Sequence, residues 1–409
     1  MDLSERISFQ NSHWGKGEIN AWPVRRDIFN RLWQDLFISP IIFLTGSRRT
    51  GKSVLLKQFG QELITVKNVK PTQILFFEFA PQDSQEIIWQ VINYFTREVA
   101  ESQERRFIFL DELQFVLGYE AILKEIYDNE TNLKIVVTGS LSLDYKRRMQ
   151  ESLAGRFFLY RLFPLNFKEY LHLSNDKNYE LWDKTVEEKD KFRRLAILKE
   201  LNDEFRRFLA WGRLPEMINL TEEQGKSYLS SITGQSLTRD AFNYFSIEKP
   251  QAILAIFDYI RFQNGSLISI QNLAQVLGVN AATISRYLSV LESMGLVYLV
   301  YNSVNPLVKA NSAKKAYVSS MFGLWEAKVD WSTALGFAAE SYVLERLLEQ
   351  DNRVTFFRKR NWEIDFLLPK EKTAYEVKFR SEGSPVPKAP AGYQLKIVSA
   401  DGDLPVCLF

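Results

Sequence analysis

Eight residues, Gly46-Ser47-Arg48-Arg49-Thr50-Gly51-Lys52-Ser53, follow directly on the apolar run PIIFLT and open an amphipathic stretch. Two glycines let backbone N–H groups curl around an anion. Lys52 adds a point charge for β- and γ-phosphates, and Ser53 offers a hydroxyl to Mg²⁺ at a helix N-terminus. A second group ends the run FIFLDELQ, where Asp111 and Glu112 fall at the C-terminal edge of an expected strand. Phosphoryl transfer needs positioning and charge stabilisation, so Asp111 is expected to share the Mg²⁺ shell and Glu112 to polarise the attacking water. The run KIVVTGS places Thr138 and Ser140 as polar residues beside the γ-phosphate. Arg156, in ESLAGRF, carries the permanently charged planar fork that a phosphate in a neighbouring subunit would require, which implies a homo-oligomer.

These groups need a scaffold that brings strand ends to one edge. From 40 to 162, continuous apolar runs alternate with longer amphipathic stretches, which predicts a parallel sheet with helices on both faces. Residues 163 to 247 lose the strand signal, become charge-rich and read as a helical lid or connector. From 248 to 305 a helix, a turn at Gly278, a second helix and the run LVYLVY predict a winged helix-turn-helix. Its groove-reading helix is poor in cations. Lys249, Arg261 and Arg286 are balanced by Glu248, Asp258 and Glu292, with Thr283, Ser285 and Tyr287 beside Arg286.

The set GSRRTGKS, FLDELQ, TGS and LAGRF, with WGRLPE at 211 to 216 and Arg239-Asp240, resembles prokaryotic predicted P-loop ATPases of the AAA superfamily. Their C-terminal half is a domain of unknown function with a restriction-endonuclease-like end. The resemblance implies an AAA-like ATPase core over 1–165, a helical lid or connector over 166–247, a winged helix over 248–305 and an α+β endonuclease-like domain over 306–409. It also implies ATP binding and hydrolysis.

In that last region Asp365 lies in WEIDFLL, and Glu376 and Lys378 are two apart in AYEVKF, so the latter two share a strand face. Two carboxylates and a lysine at one spot form a site for a second divalent ion, Mg²⁺ or Mn²⁺, and Glu340 on the preceding helix adds a ligand. The pattern resembles the PD-(D/E)xK nuclease core. It departs after the third strand, where SEGSPVPKAPAGY is too short and Pro-rich for the usual helix.

With 409 residues, 46 % hydrophobic and 25 % charged, the composition excludes wholesale disorder and coiled coil. The net charge of +2 gives no global basic field. One cysteine, Cys407, and a charged N-terminus point to a cytoplasmic protein with no membrane segment. The expected function is ATP binding and hydrolysis coupled to DNA-associated C-terminal domains. The alternative is a nucleotide-gated scaffold whose C-terminal domains bind a protein.

Overall fold

Five runs form the first sheet, β1 Ile41–Thr45, β2 Ile74–Glu78, β3 Arg106–Asp111, β4 Leu133–Gly139 and β5 Phe157–Arg161, of which β1, β3 and β4 are buried nearly throughout and β5 is half-buried. The computed structural model describes residues 2–101, 103–130, 132–140, 153–174, 176–211, 213–234, 236–237, 241, 245, 247–303, 314–322, 331–351, 353–360, 362–378 and 387–399. Arg239, Asp240 and Cys407 lie outside them, as does the first part of the Pro-rich stretch after Lys378. The chain divides into two compact units, Met1–Leu162 and Phe163–Phe409.

In the first unit every pairing is parallel, in the order β2-β3-β4-β1-β5. Successive side chains point to opposite faces. On one face Ile42 and Leu44 join Phe29, Leu32, Leu55 and Phe59 from the helices Phe29–Asp35 and Lys52–Thr65. On the other, Phe43 meets Tyr119 of the helix Tyr119–Asn129. Both faces are covered, and strands buried on both sides read as unbroken apolar runs. The outer edge of β2 is closed by side chains: the Asn11 amide donates to the Phe76 carbonyl at 2.8 Å and accepts from its N–H at 2.7 Å. Trp14 donates to the Ile74 carbonyl at 2.8 Å.

The second unit holds a seven-stranded sheet of β6 Ser266–Leu267, β7 Val297–Asn302, β8 Lys314–Val318, β9 Thr355–Lys359, β10 Trp362–Leu368, β11 Thr373–Lys378 and β12 Gln394–Ser399. Its order is β12-β11-β10-β9-β7-β8-β6. The join is the parallel pairing of β7 with β9, Tyr301 opposite Thr355 and Asn302 opposite Phe356. The stretches expected as a winged helix and as an endonuclease-like domain therefore share one sheet. β8 was not expected, because its lysines hide a strand that is buried throughout.

The stretch expected as a lid also differs from expectation. Phe167, Phe205 and Phe208, from the helices Phe167–Ser174 and Asn202–Trp211, are buried in one core with Tyr342, Phe356 and Phe366. Edge-on ring contacts of Phe205 and Phe208 with Tyr342, at 6.0 and 5.3 Å, tie the first part of this stretch to the helix Trp331–Gln350. The charge pattern of 176–200 reports the solvent side, while the aromatics report a core.

Candidate functional site

β1 ends at Thr45, and the chain turns through the glycine loop into the helix Lys52–Thr65. Gly51 precedes it with φ 98°, a left-handed conformation that glycine adopts freely. At Gly46 a Cβ would stand 2.4 Å from the Leu162 carbonyl oxygen, so the loop passes the backbone beyond β5 at a distance closed to any other residue. Within the loop Thr50 Oγ1 donates to the Ser47 carbonyl at 2.8 Å. Lys52 Nζ donates to the carbonyls of Gly46 and Ser47 at 2.9 and 3.0 Å. Lys52 is 4 % exposed. Burial pulls its pKa down, Glu112 and Asp111 pull it up, and Arg48 adds to the lowering.

The carboxylates arrive from the next strand but one. Asp111 closes β3 and Glu112 follows in the left-handed region at φ 55°, ψ 38°, a conformation that costs a non-glycine residue on the order of 1–3 kcal/mol. Asp111 accepts hydrogen bonds from the hydroxyls of Ser53 and Thr138. Burial raises its pKa, Glu112 raises it further, and the two hydroxyls oppose the rise. The Glu112 N–H donates to Thr138 Oγ1 at 3.2 Å. Gln114 donates to both Glu112 and, at 3.1 Å, Ser140 Oγ, so one amide fixes the two. Loop, Ser53, Asp111, Glu112, Thr138 and Ser140 thus meet at one sheet edge.

Three residues here were not legible in the sequence. Gln114 is one. Arg26 is another: its guanidinium donates to the Thr50 carbonyl at 2.7 Å from a segment with no motif. Glu78 ends β2 in register with Asp111, and its pKa is raised by burial, Asp111 and Glu112. The alternation of carboxylates at successive strand ends was the available signal for Glu78.

Arg156 lies elsewhere. It precedes β5, its carbonyl accepts from the Ile41 N–H at 2.8 Å, and its guanidinium grips Asp128 at 2.8 and 3.2 Å. Parallel β1 and β5 place that end about 16 Å of strand rise from the loop. Within one chain it takes no part in the loop site.

An oxygen donor set of a buried carboxylate and a serine hydroxyl suits Mg²⁺. The loop and its edge fit a magnesium nucleotide.

In the second unit Glu340, Asp365, Glu376 and Lys378 do come together, since Asp365 and Glu376 both act on Glu340, and Lys378 Nζ stands 2.7 Å from Glu376. A register irregularity between Ile364 and Leu367 turns Asp365, which accepts from the Val377 N–H at 2.9 Å. Yet among the described residues no three His, Cys, Asp or Glu side chains are grouped to hold a metal ion. The expected second divalent-ion site is corrected on that point, and the reason is charge. Lys315 of β8, missed in the sequence, lies 2.6 Å from Glu363 and 3.7 Å from Asp365.

Burial first, then Asp365, pushes Glu340 up to about 8 from 4.5. Between those values the folded chain holds a proton that the unfolded chain releases, so this group makes stability fall as pH rises. Glu340→Gln, neutral at every pH, is expected to melt higher than wild type at about pH 8 and to lose that advantage near pH 5. Parallel melting curves at the two pH values would remove Glu340 from this role.

The helix Ala281–Ser293 begins at Asn280, whose side chain accepts from the Thr283 N–H at 2.7 Å. Of its neighbouring Arg286 and Tyr287, the first is exposed and the second is buried. Arg286 donates to the Phe245 carbonyl at 2.6 Å, and the buried Tyr287 hydroxyl accepts from the Lys249 N–H at 3.0 Å. No helix among the described residues is long and apolar enough to cross a membrane.

Residues 39–171 match the family described as "AAA domain", and residues 202–322 match a domain of unknown function, DUF8612. The chain is 26 % identical over 270 residues to an uncharacterized protein of Haemophilus influenzae, covering 62 % of this chain and 60 % of that one. An uncharacterized protein of Methanocaldococcus jannaschii is 27 % identical over 383 residues, 90 % of this chain and 79 % of that one. Among solved structures, the Aeropyrum pernix ORC1 protein in complex with DNA aligns with TM-score 0.34 at 14 % identity, over 80 % of this chain and 95 % of that one. AMPPCP-bound DnaA from Aquifex aeolicus aligns with TM-score 0.26 at 14 % identity, over 65 % and 86 %. The parallel sheet, the glycine loop at its edge and the family match make residues 39–171 a P-loop ATPase domain of AAA type.

Proposed function

We propose that the protein binds magnesium ATP on the 46–53 loop and hydrolyses it, and that the nucleotide state acts on the C-terminal unit. The observation that carries this reading is the convergence of Lys52, Ser53, Asp111 and Glu112 at one sheet edge, with the Ser53 hydroxyl on the Asp111 carboxylate. Lys52, held by two loop carbonyls, supplies the positive charge for β- and γ-phosphates. Ser53 and Asp111 would hold Mg²⁺, which would supply charge neutralisation to the phosphate oxygens. Glu112, set by its left-handed backbone and by Gln114, orients the water. Ser140, on the same amide, registers the γ-phosphate.

Glu112→Gln is the test. Nucleotide binding should survive while turnover falls on the order of 10²–10⁴-fold. Turnover at the wild-type rate would take Glu112 out of the reaction.

We propose DNA as the partner of the C-terminal unit, on the order of helix, short strand, helix pair and antiparallel strands over 250–318. The burial of Tyr287 and the tie of the Arg286 guanidinium to the Phe245 carbonyl favour a second reading, a protein partner. ATP turnover with and without single- and double-stranded DNA separates them: stimulation by DNA supports the first, and indifference to both forms supports the second.

A further inference from the structure

The residues that match the AAA domain begin at 39, yet the glycine loop is held from a segment that precedes them. Residues 22–28 lie along the helix Lys52–Thr65, and three side chains fasten them there. The Gln58 amide donates to the carbonyls of Trp22 and Val24 at 2.7 and 2.8 Å. Arg25 pairs with Glu62, which is four residues beyond Gln58 and so shares its helix face. Arg26 reaches back to the head of the helix, where its guanidinium donates to the Thr50 carbonyl at 2.7 Å. Its own carbonyl accepts from the Phe29 N–H at 2.9 Å, and Phe29 is buried in the same core as Leu55 and Phe59.

Thr50 is a strut of the loop. It is fully buried, and its hydroxyl spans to the Ser47 carbonyl at 2.8 Å. In a planar trans peptide the C=O and the N–H point in opposite directions. A Thr50 carbonyl turned onto Arg26 therefore aims the Gly51 N–H away from Arg26. An anion-binding loop works only when its N–H groups converge, so the orientation of this one peptide decides whether Gly51 serves. Gly51 sits in the left-handed region and has no Cβ to restrict rotation of the peptide before it, so a donor from outside the loop selects the orientation. Because that donor is a guanidinium, the bond is charge-assisted, and it polarises the peptide so that the far N–H donates more strongly.

We infer that Arg26 is a positioning residue for polyphosphate: it holds the Thr50–Gly51 peptide with the Gly51 N–H toward the phosphates and itself touches neither nucleotide nor attacking water. This rests on the 46–53 loop being the nucleotide site.

The test uses the full chain with Mg²⁺ and compares the binding of ATP, ADP and inorganic triphosphate. Arg26→Met, which keeps the stem packed and removes the donors, should weaken all three by about tenfold, because the loop meets phosphate in each. Its kcat at saturating ATP should stay within about threefold of wild type, since the lost interaction serves ground state and transition state alike. Arg26→Lys, which keeps a cationic donor, should bind each ligand within about threefold of wild type. Unchanged affinity in a folded Arg26→Met protein overturns the inference. A loss confined to ATP and ADP also overturns it, because Arg26 would then serve the nucleoside. So does a fall in kcat at unchanged affinity, or a loss that Arg26→Lys fails to relieve. If wild type itself binds none of the three ligands, the nucleotide reading of the loop falls and takes this inference with it, a result distinct from a wild type and a variant that bind equally well.

Discussion

Lys52→Ala is expected to abolish ATP turnover, by a factor on the order of 10²–10³ or more, with ATP binding lost or severely weakened. The side chain is almost wholly buried in its own loop, with its ammonium on the carbonyls of Gly46 and Ser47. Those carbonyls carry partial negative charge, so the loop holds its cation ready without help from a ligand. Asp111 and Glu112 lie near enough to oppose the lowering of its pKa that burial causes. Removing the ammonium therefore leaves two carboxylates facing the incoming polyphosphate with less to offset them, and repulsion replaces attraction. Fluorescent-nucleotide titration and phosphate release check both halves. ATP binding at wild-type strength in a folded Lys52→Ala protein would move the nucleotide off this loop.

The second large effect is expected on stability. Arg213→Ala should destabilise the C-terminal unit by about 3–5 kcal/mol, because it strands a buried carboxylate. Arg213 and Glu345 have side chains 2 % and 0 % exposed and meet at 2.5 Å. Glu345 is also held by the hydroxyls of Ser319 and Ser320, at 3.0 and 2.6 Å, and by the Ser320 N–H at 3.1 Å. The guanidinium lies between the rings of Phe208 and Tyr342, 4.8 and 4.7 Å from their centroids, so alanine also opens a cavity. Urea unfolding of the variant should show an early transition of this unit. Glu345→Ala added to it should return part of the loss, since the stranded charge goes too. A change below about 1 kcal/mol would mean that water reaches Glu345.

The phosphate loop and its carboxylates were legible because each signal is local: the glycine spacing fixes a turn, and Asp111 follows four apolar residues of a strand buried on both faces. The partner of Arg213 lies 132 residues away, and WGRLPE looks like a motif with chemistry when it is the anchor of a core. Lys315 was illegible for a related reason, since a lysine in a short run reads as solvated surface until the sheet around it is known. The parallel join of β7 and β9 rests on two residue pairs from segments more than fifty residues apart. Pattern along the chain carries no trace of such a pairing. For Glu340, Asp365, Glu376 and Lys378 the sequence predicted proximity, and the neutralising cations changed what that proximity means.

That join has a mechanical consequence. Seven strands side by side make a plate about 29 Å across, in which β7 and β9 meet through two residue pairs alone. On either side of that join the ladders are longer and stiff in their own plane, and close-packed side chains on them resist compression. The helix pair at 270–293 is rooted near one margin through β7, and the carboxylates of β10 and β11 lie toward the other. A torque applied at either margin therefore reaches the opposite one through that two-pair join, which is where the plate would yield first.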